Sequence, residues 1–115
     1  MTVRLLIIDD EPSLLELLKR YLERMGYQVD TAAESASALA GFAADPLRYD
    51  LVITDLHLPG AGGEELLAQM RKLNPGLRAL IASGLPYQPS QPLTGFVQKP
   101  FLPKTLAEQI ERALR

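Results

Sequence analysis

The sequence predicts an α/β protein built on one doubly wound parallel sheet, and three observations support this fold class. Short apolar runs typical of buried strands alternate with longer segments in which apolar residues recur at helical spacing. The chain has 115 residues, of which 47% are hydrophobic, enough for one domain with its own core. Polar residues follow the strand-like runs directly, at the edge where open α/β sheets hold their ligands. Alternating strands and helices imply right-handed crossovers, with helices on both faces of the sheet.

The composition excludes several functional classes. The net charge of -2 provides no basic face for nucleic acid and no basic tail for a membrane surface. The absence of cysteine excludes a disulfide framework, a thiolate zinc site and a cysteine nucleophile. The first residues turn acidic too early for a signal peptide, and no apolar run approaches the ~20 residues of a membrane span. We therefore expect a cytoplasmic protein that contacts neither nucleic acid nor a membrane directly.

The first strand–helix pair is the clearest in the chain. Residues 3–8 form an apolar run broken only by Arg4, which predicts the first strand. Pro12 suits the first turn of a helix, where its missing N–H costs nothing, and Gly26 suits the end of that helix. The predicted helix covers residues ~12–25. Its apolar stripe is Leu14, Leu15, Leu18, Tyr21, Leu22 and Met25.

The second pair has a weaker signal. Residues 27–32 predict a short strand, and the second helix begins at Glu34 or Ser35. It ends at Asp45-Pro46, because the residue before a proline disfavours helical dihedrals. The face expected to pack on the core consists of small and medium apolar residues: Ala36, Leu39, Ala40 and Ala43.

The third strand is the centre of the sequence pattern. Residues 51–54 are uncharged and apolar or β-branched, as in a strand buried on both faces, and they end abruptly at Asp55. Residues 59–63, PGAGG, predict a loop. The third helix follows, with Glu64 and Glu65 in its first turn, where negative charge favours the helix dipole. Its expected core face is Leu66, Leu67, Met70 and Leu73.

Two further strands and one helix complete the pattern. Residues 77–82 predict the fourth strand, which ends at Ser83-Gly84, and residues 95–98 predict a short fifth strand, which ends at Lys99-Pro100. A closing helix carries an apolar stripe made of Leu102, Leu106, Ile110, Ala113 and Leu114.

Acids, a hydroxyl and an ammonium follow the ends of these strands. They are Asp9 and Asp10 after the first strand, Asp55 after the third, Ser83 after the fourth and Lys99 after the fifth. In a five-stranded sheet of order 2-1-3-4-5 the first and third strands are neighbours, so the three aspartates converge. Carboxylates in one place repel each other unless some protonate or a cation joins them. Hard oxygen ligands favour Mg²⁺.

Together these groups predict phosphoryl-transfer chemistry. Mg²⁺, the Lys99 ammonium and the Ser83 hydroxyl around one carboxylate would provide electrostatic stabilisation, with Asp55 as the nucleophile. Taken alone, Asp55 is equally consistent with a residue that caps the following loop, since Asp is common in turns.

These motifs resemble the receiver domain of bacterial two-component response regulators. The resemblance extends from LLIIDDEP through LVITDLHLPGAGG and ASG to GFVQKPF, with each motif at the expected strand end. It implies a flavodoxin-like receiver fold over residues 1–115. The short ASG…GFVQKPF region is similar to receivers attached to hybrid sensor kinases.

The resemblance implies a phosphoacceptor and a metal site. Asp55 matches the residue that accepts a phosphoryl group from a kinase phosphohistidine. Asp9 and Asp10 match the acids that hold Mg²⁺ together with it, and His57 matches the position whose backbone carbonyl is a further ligand.

The resemblance also implies a set of switch residues. Ser83 matches the hydroxyl that binds the phosphoryl oxygen, and Lys99 matches the lysine of the KPF motif. Phe96 lies at the aromatic position that changes rotamer on activation. The Lys99–Pro100 peptide is expected to be cis.

The segment between Ser83 and Phe96 departs from the family pattern, because it is several residues shorter than usual. It contains Pro86, Pro89 and Pro92, and an interior proline costs a helix ~3 kcal/mol. We therefore expect the fourth helix, between the fourth and fifth strands, to be shortened or absent. The symmetric dimer that other receivers build on that helix is then not expected.

The leading function is a phosphoacceptor signalling domain that is not an enzyme for separate substrates. Its partner would be a histidine kinase or phosphotransfer domain, and the resemblance also fits a kinase or output domain linked in a longer protein. One alternative is a Mg²⁺-dependent phosphatase with an Asp nucleophile, but such enzymes usually carry a second acid where His57 stands. The other is an interaction module that keeps the fold without phosphorylation.

Overall fold

The computed structural model describes residues 2–89 and 91–115, and within them the chain forms five strands and four helices. Strands and helices alternate except where the fourth strand leads to the fifth. The elements are β1 (Arg4–Ile8), α1 (Pro12–Arg24), β2 (Gln28–Ala32), α2 (Ser35–Ala44), β3 (Leu51–Asp55), α3 (Gly63–Leu73), β4 (Ala79–Ser83), β5 (Thr94–Gln98) and α4 (Pro103–Ala113).

The sheet is parallel throughout, with the strand order β2-β1-β3-β4-β5, which confirms the predicted doubly wound fold. Two register pairs determine where the polar strand ends lie. Ile8 at the end of β1 pairs with Thr54 of β3, and Asp55 pairs with Ala82 of β4. The residues that follow β1, β3 and β4 therefore emerge side by side at one edge.

The sheet divides the core into two layers. Leu5 and Ile7 of β1 pack with α1 and α4 on one face, and Leu6 and Ile8 pack with α2 and α3 on the other. Successive strand residues point to opposite faces. Burial of both faces explains why the strand sequences are nearly continuous apolar runs.

The buried face of α2 differs from the prediction. Ser35, Ala38 and Phe42 are buried, whereas three of the four expected residues, Ala36, Ala40 and Ala43, are exposed. Phe42 is fully buried and stacks on Tyr49, with 6.3 Å between ring centroids. Because a phenyl ring buries far more apolar surface than alanine, Phe42 sets the rotation of this helix.

Three other apolar residues expected in the core are exposed. Met25, Leu73 and Leu102 lie at helix ends, where Met25 is the C-cap of α1 and Leu102 the N-cap of α4. Their spacing continues each apolar stripe beyond the turns that contact the sheet. The spacing alone could not locate where that contact ends.

The connection between β4 and β5 contains no helix in its described residues, 84–89 and 91–93, as its prolines predicted. Its last residue, Leu93, has a φ of 63°. The Lys99–Pro100 peptide after β5 is cis, as the resemblance implied. Across the described part of the chain, none of the helices has the length and apolar character needed to cross a membrane.

Candidate functional site

Three carboxylates meet at the carboxyl edge of the sheet. Asp9 and Asp10 follow β1, and Asp55 ends the neighbouring strand β3; one carboxylate oxygen from each lies within 4.8 Å of the others. Asp9 is buried and accepts a hydrogen bond from the backbone N–H of Glu11 at 2.9 Å, whereas Asp10 is exposed. The side chain of Asp55 is 12% exposed, so its carboxylate remains accessible.

The Lys99 ammonium joins two of these carboxylates. Its Nζ lies 2.5 Å from Asp9 Oδ2 and 3.2 Å from Asp55 Oδ2, and the lysine side chain is 22% exposed. Burial by itself would lower the pKa of Lys99, but the hydrogen bonds and charges of Asp9 and Asp55 outweigh burial and raise that pKa. The lysine therefore stays cationic and offsets part of the carboxylate repulsion.

Ser83 lies at the end of β4 and is fully buried. Its hydroxyl oxygen accepts a hydrogen bond from the backbone N–H of Leu85 at 3.1 Å, and its carbonyl accepts one from the backbone N–H of Lys99 at 2.7 Å. The serine hydroxyl proton is then free to be donated, and the backbones of Ser83 and Lys99 are fixed to one another.

The connection from β3 to α3 is closed tightly over Asp55. The backbone N–H of Gly63 donates to the carbonyl of Leu56 at 2.9 Å, and a Cβ on Gly63 would lie 2.3 Å from the Asp55 carbonyl oxygen. Only glycine allows α3 to begin this close to the strand. The backbone N–H of His57 donates to Asp55 Oδ1 at 3.3 Å, so His57 borders the cluster through its backbone while its residue is exposed.

Phe96 lies on β5, on the other side of Ser83 from the carboxylates. It is partly buried, and its ring centroid lies 6.1 Å from that of Tyr87 with a tilt of 51°. The hydroxyl of Tyr87 donates to a carboxylate oxygen of Glu64 in the first turn of α3. Tyr87 thus contacts both β5 and the first turn of α3.

The donor set at this edge fits a hard divalent cation. The cluster offers three carboxylates, and Mg²⁺ is usually held by one or two carboxylates with waters and phosphate oxygens. The short contact from the Lys99 ammonium to Asp9 shows that these oxygens already attract a cation. The imidazole of His57 is not a member of the cluster, and the resemblance implies a metal-binding role only for the backbone carbonyl of His57.

Sequence reasoning missed two contacts that bracket the site. The Ser35 hydroxyl donates to the carbonyl of Ala61, and Tyr87 donates to Glu64. The sequence indicates Ser35 only as a possible start of a helix, and Tyr87 lies in the proline-containing segment between Ser83 and Phe96, where the sequence predicts no specific contact. The partners lie 26 and 23 positions away, respectively, and no local pattern signals a contact at that separation.

Comparison with known proteins places the chain in a family. The model of the response regulator receiver domain matches residues 5–111. The transcriptional regulatory protein ResD of Bacillus subtilis is 34% identical over 122 residues, which cover 97% of this chain and 48% of ResD. The probable transcriptional regulatory protein TcrX of Mycobacterium tuberculosis is 39% identical over 79 residues, covering 69% of this chain and 33% of TcrX. The chain thus spans about half or less of these relatives.

Solved structures agree with this placement. The receiver domain from the hybrid histidine kinase CckA superposes with a TM-score of 0.88 at 30% identity, covering 97% of this chain and 99% of that one. The response regulator protein TrrA from Thermotoga maritima, solved in complex with Mg²⁺-BeF, gives a TM-score of 0.83 at 32% identity, covering 98% and 100%. With its sheet order, its acidic cluster and its family match together, the chain belongs to the response regulator receiver domains of two-component systems.

Proposed function

We propose that Asp55 of this receiver domain accepts a phosphoryl group from the phosphohistidine of a histidine kinase or phosphotransfer domain. A carboxylate oxygen of Asp55 attacks phosphorus; the new P–O bond forms as the P–N bond breaks, and the imidazole leaves. The observation that carries this proposal is the contact of Lys99 Nζ with both Asp55 and Asp9. A fixed ammonium beside the nucleophile reduces the repulsion between an anionic carboxylate and an anionic phosphoryl group.

Mg²⁺ would be held by Asp9, Asp10, Asp55 and the backbone carbonyl of His57. When bound, the ion would supply positive charge that offsets the negative charge on the phosphoryl oxygens. The carboxylate oxygens of the three aspartates lie together at the strand ends. Because these carboxylates repel each other when no cation is bound, the site has an affinity for a cation. The exposed position of Asp10 leaves this side of the cluster open to solvent and to a donor.

Ser83 and Phe96 would report phosphorylation to the rest of the fold. We propose that the Ser83 hydroxyl donates to a phosphoryl oxygen on Asp55. Movement of Ser83 would shift Leu85, because the backbone N–H of Leu85 donates a hydrogen bond to the Ser83 hydroxyl. The side chain of Phe96 would then change its rotamer beside the ring of Tyr87. With no helix in the described part of this connection, the expected readout is ordering of a loop, not a symmetric dimer built on a helix.

The proposal extends to the whole chain. Residues 1–115 would act as one cytoplasmic receiver domain, whose chemistry is limited to its own phosphorylation and dephosphorylation. A linked kinase or output domain is consistent with the larger size of the relatives. One observation argues against a phosphatase with an Asp nucleophile. Such enzymes usually carry a second acid two residues after the nucleophile, whereas this position is His57, whose imidazole lies outside the cluster.

The test is phosphorylation by a small donor. The protein is incubated with Mg²⁺ and acetyl phosphate and weighed intact; one added phosphoryl group is expected, and Asp55→Asn should abolish it. Asp50→Asn is the matched control, because Asp50 directly precedes the same strand, at the end opposite Asp55, and accepts a hydrogen bond from the Arg4 N–H. Full labelling of Asp55→Asn, or no labelling of the unaltered protein, would refute the assignment.

A further inference from the structure

One side chain from outside the site holds the connection that follows Asp55. The hydroxyl of Ser35, the first residue of α2, donates to the backbone carbonyl of Ala61 across 26 positions of sequence. Ser35 is buried, so the hydroxyl is shielded from competing water. Ala61 lies near the end of the connection between β3 and α3, which comprises residues 56–62.

The rest of this connection is fixed at its root by backbone hydrogen bonds and in its middle by Leu58, whose side chain is buried in the core layer next to α2 and α3. Leu56 donates through its N–H to the carbonyl of Ala82 at 2.8 Å and accepts from Gly63. Further out, Gly60 has a φ of 82°, in the left-handed region that glycine adopts without strain. Among the described residues, the bond from Ser35 is the hydrogen bond that ties residues 57–61 to an element other than β3 and α3.

We propose that Ser35 is a positioning residue for the metal site: by holding the Ala61 carbonyl, it restricts the backbone of residues 57–61, the stretch that contains the His57 carbonyl. This inference rests on the proposed function, because it assigns the His57 carbonyl to Mg²⁺. The stretch from Leu56 to Ala61 would thus be held by hydrogen bonds at both ends and by the buried side chain of Leu58 between them.

A held backbone matters here because of the ion. Mg²⁺ demands near-ideal octahedral geometry, so a carbonyl that samples several orientations is a poor ligand. The apparent dissociation constant rises in inverse proportion to the fraction of molecules in the competent conformation. A glycine-containing connection released from Ser35 would spread over more conformations, which lowers that fraction.

A merely structural role for Ser35 predicts something different. A hydroxyl that only satisfies a buried carbonyl would change the free energy of unfolding and leave the metal dissociation constant of the folded protein alone. Metal affinity in the folded state and local amide exchange without metal therefore separate the two roles. Neither measurement depends on phosphorylation.

The experiment compares the unaltered protein with Ser35→Ala, Ser35→Thr and Ser37→Ala. Ser37 is the matched control, because it lies on the same helix and its hydroxyl donates to the carbonyl of Glu34 at 3.1 Å, away from the connection. Mg²⁺ is titrated against the folded proteins by NMR, and amide exchange of residues 57–61 is followed without metal. Thermal unfolding of each metal-free protein is recorded alongside.

For Ser35→Ala we expect about a fivefold weaker Mg²⁺ affinity, as from loss of one hydrogen bond, and faster exchange at residues 57–61. Ser35→Thr, which keeps the hydroxyl, and Ser37→Ala should stay within about twofold of the unaltered protein. Unchanged affinity in a folded Ser35→Ala protein, whatever its melting temperature, would overturn the role of Ser35 and leave the proposed function intact. No Mg²⁺ binding by the unaltered protein would overturn both.

Discussion

Two connections leave the carboxyl edge of the sheet beside Asp55, and they are held in different ways. The β3–α3 connection, residues 56–62, is closed mainly by backbone hydrogen bonds and by the approach of Gly63 to the Asp55 carbonyl, and the Ser35 hydroxyl adds one side-chain hydrogen bond to Ala61. The β4–β5 connection, residues 84–93, is held in its described part largely through side chains. Its contacts use the Ser83 hydroxyl, the Gln98 amide and the Tyr87 phenol.

The difference separates two tasks at one edge of the sheet. Backbone closure over Asp55 keeps the nucleophile and its neighbours preorganised, which electrostatic stabilisation of phosphoryl transfer requires. Side-chain contacts each contribute only ~1 kcal/mol, so they can be exchanged at small cost. The β4–β5 connection is therefore the part of this edge suited to change with phosphorylation.

Gly63→Ala should be the most damaging single change in the backbone-held connection. The new Cβ would lie 2.3 Å from the Asp55 carbonyl oxygen, a backbone atom that cannot rotate away. We expect a loss of about 2–3 kcal/mol in the free energy of unfolding, as for overpacked sites, and slower labelling by acetyl phosphate. Urea denaturation measures the first effect and intact mass the second.

Gly41→Ala provides the control for that substitution. Gly41 lies within α2, and a Cβ there meets nothing within 4 Å. Alanine should stabilise the helix by ~0.5–1 kcal/mol. If both variants unfold at the same urea concentration, the close approach at Gly63 is not a constraint and the distinction between the two connections fails.

A third connection, between α2 and β3, extends the comparison to pH. Tyr49 donates to Asp30 Oδ2 at 2.6 Å and is 8% exposed. Burial first, and then the hydrogen bond and charge of Asp30, raise the pKa of Tyr49 to about 12. An unfolded tyrosine ionises near pH ~10, so the folded state binds more protons between these values. Its contribution to stability is full below pH ~10 and is lost as pH rises towards 12.

Tyr49→Phe isolates this contribution. The unaltered protein should be more stable than the variant at neutral pH, and the gap should narrow by about 1–2 kcal/mol between pH ~10 and ~12. Urea unfolding across that range measures the difference in stability, while phenolate absorbance should show that the variant lacks a tyrosine whose pKa is raised to about 12. A gap that stays constant with pH would mean that the phenol is not held by Asp30.

Tyr87→Phe tests the side-chain-held connection. The variant keeps the ring beside Phe96 and loses only the hydrogen bond to Glu64. Because Glu64 is exposed and can be solvated, we expect a loss of at most ~1 kcal/mol. Amide exchange should quicken at residues 85–89 and stay unchanged at residues 57–61. Equal changes in both connections would show that they are not held independently.

The sequence was sufficient for the sheet and for the meeting of the polar groups. Buried parallel strands appear in the sequence as short apolar runs. Where such a run stops at Asp55 or Ser83, it marks the carboxyl end of the strand, and in a parallel sheet these ends lie at the same edge. Because strand ends are local signals and the topology has few alternatives, the convergence of Asp9, Asp55 and Lys99 could be predicted.

The sequence was insufficient where side chains of distant elements meet. The rotation of α2 about its axis depends on the packing of Phe42 against Tyr49. Because α2 is rich in alanine, its sequence has no dominant apolar stripe that would predict this rotation. The contact of Tyr87 with Glu64 depends on the path of an irregular segment, which local propensity does not determine. Such contacts follow from tertiary packing, so they require coordinates.

The smallest predicted effect is at the end of the side-chain-held connection. Leu93 has a φ of 63° and is 51% exposed, while its carbonyl accepts a hydrogen bond from the N–H of Ala79 at 2.9 Å. The left-handed conformation costs an ordinary L-residue about 1–2 kcal/mol, and asparagine tolerates it better than leucine. Leu93→Asn should therefore stabilise the protein by ~0.5–1 kcal/mol, because the exposed side chain contributes little packing.

Leu85→Asn is the control, since Leu85 is an exposed leucine of the same connection without a positive φ. It should change stability by no more than ~0.5 kcal/mol. Urea midpoints at an unchanged m-value measure both variants. If Leu93→Asn stabilises the protein and Leu85→Asn does not, the backbone of Leu93 is strained. The hydrogen bond from the Ala79 N–H to the Leu93 carbonyl would then hold Leu93 in the left-handed conformation. Destabilisation would show instead that the leucine side chain holds the connection, as Tyr87 does.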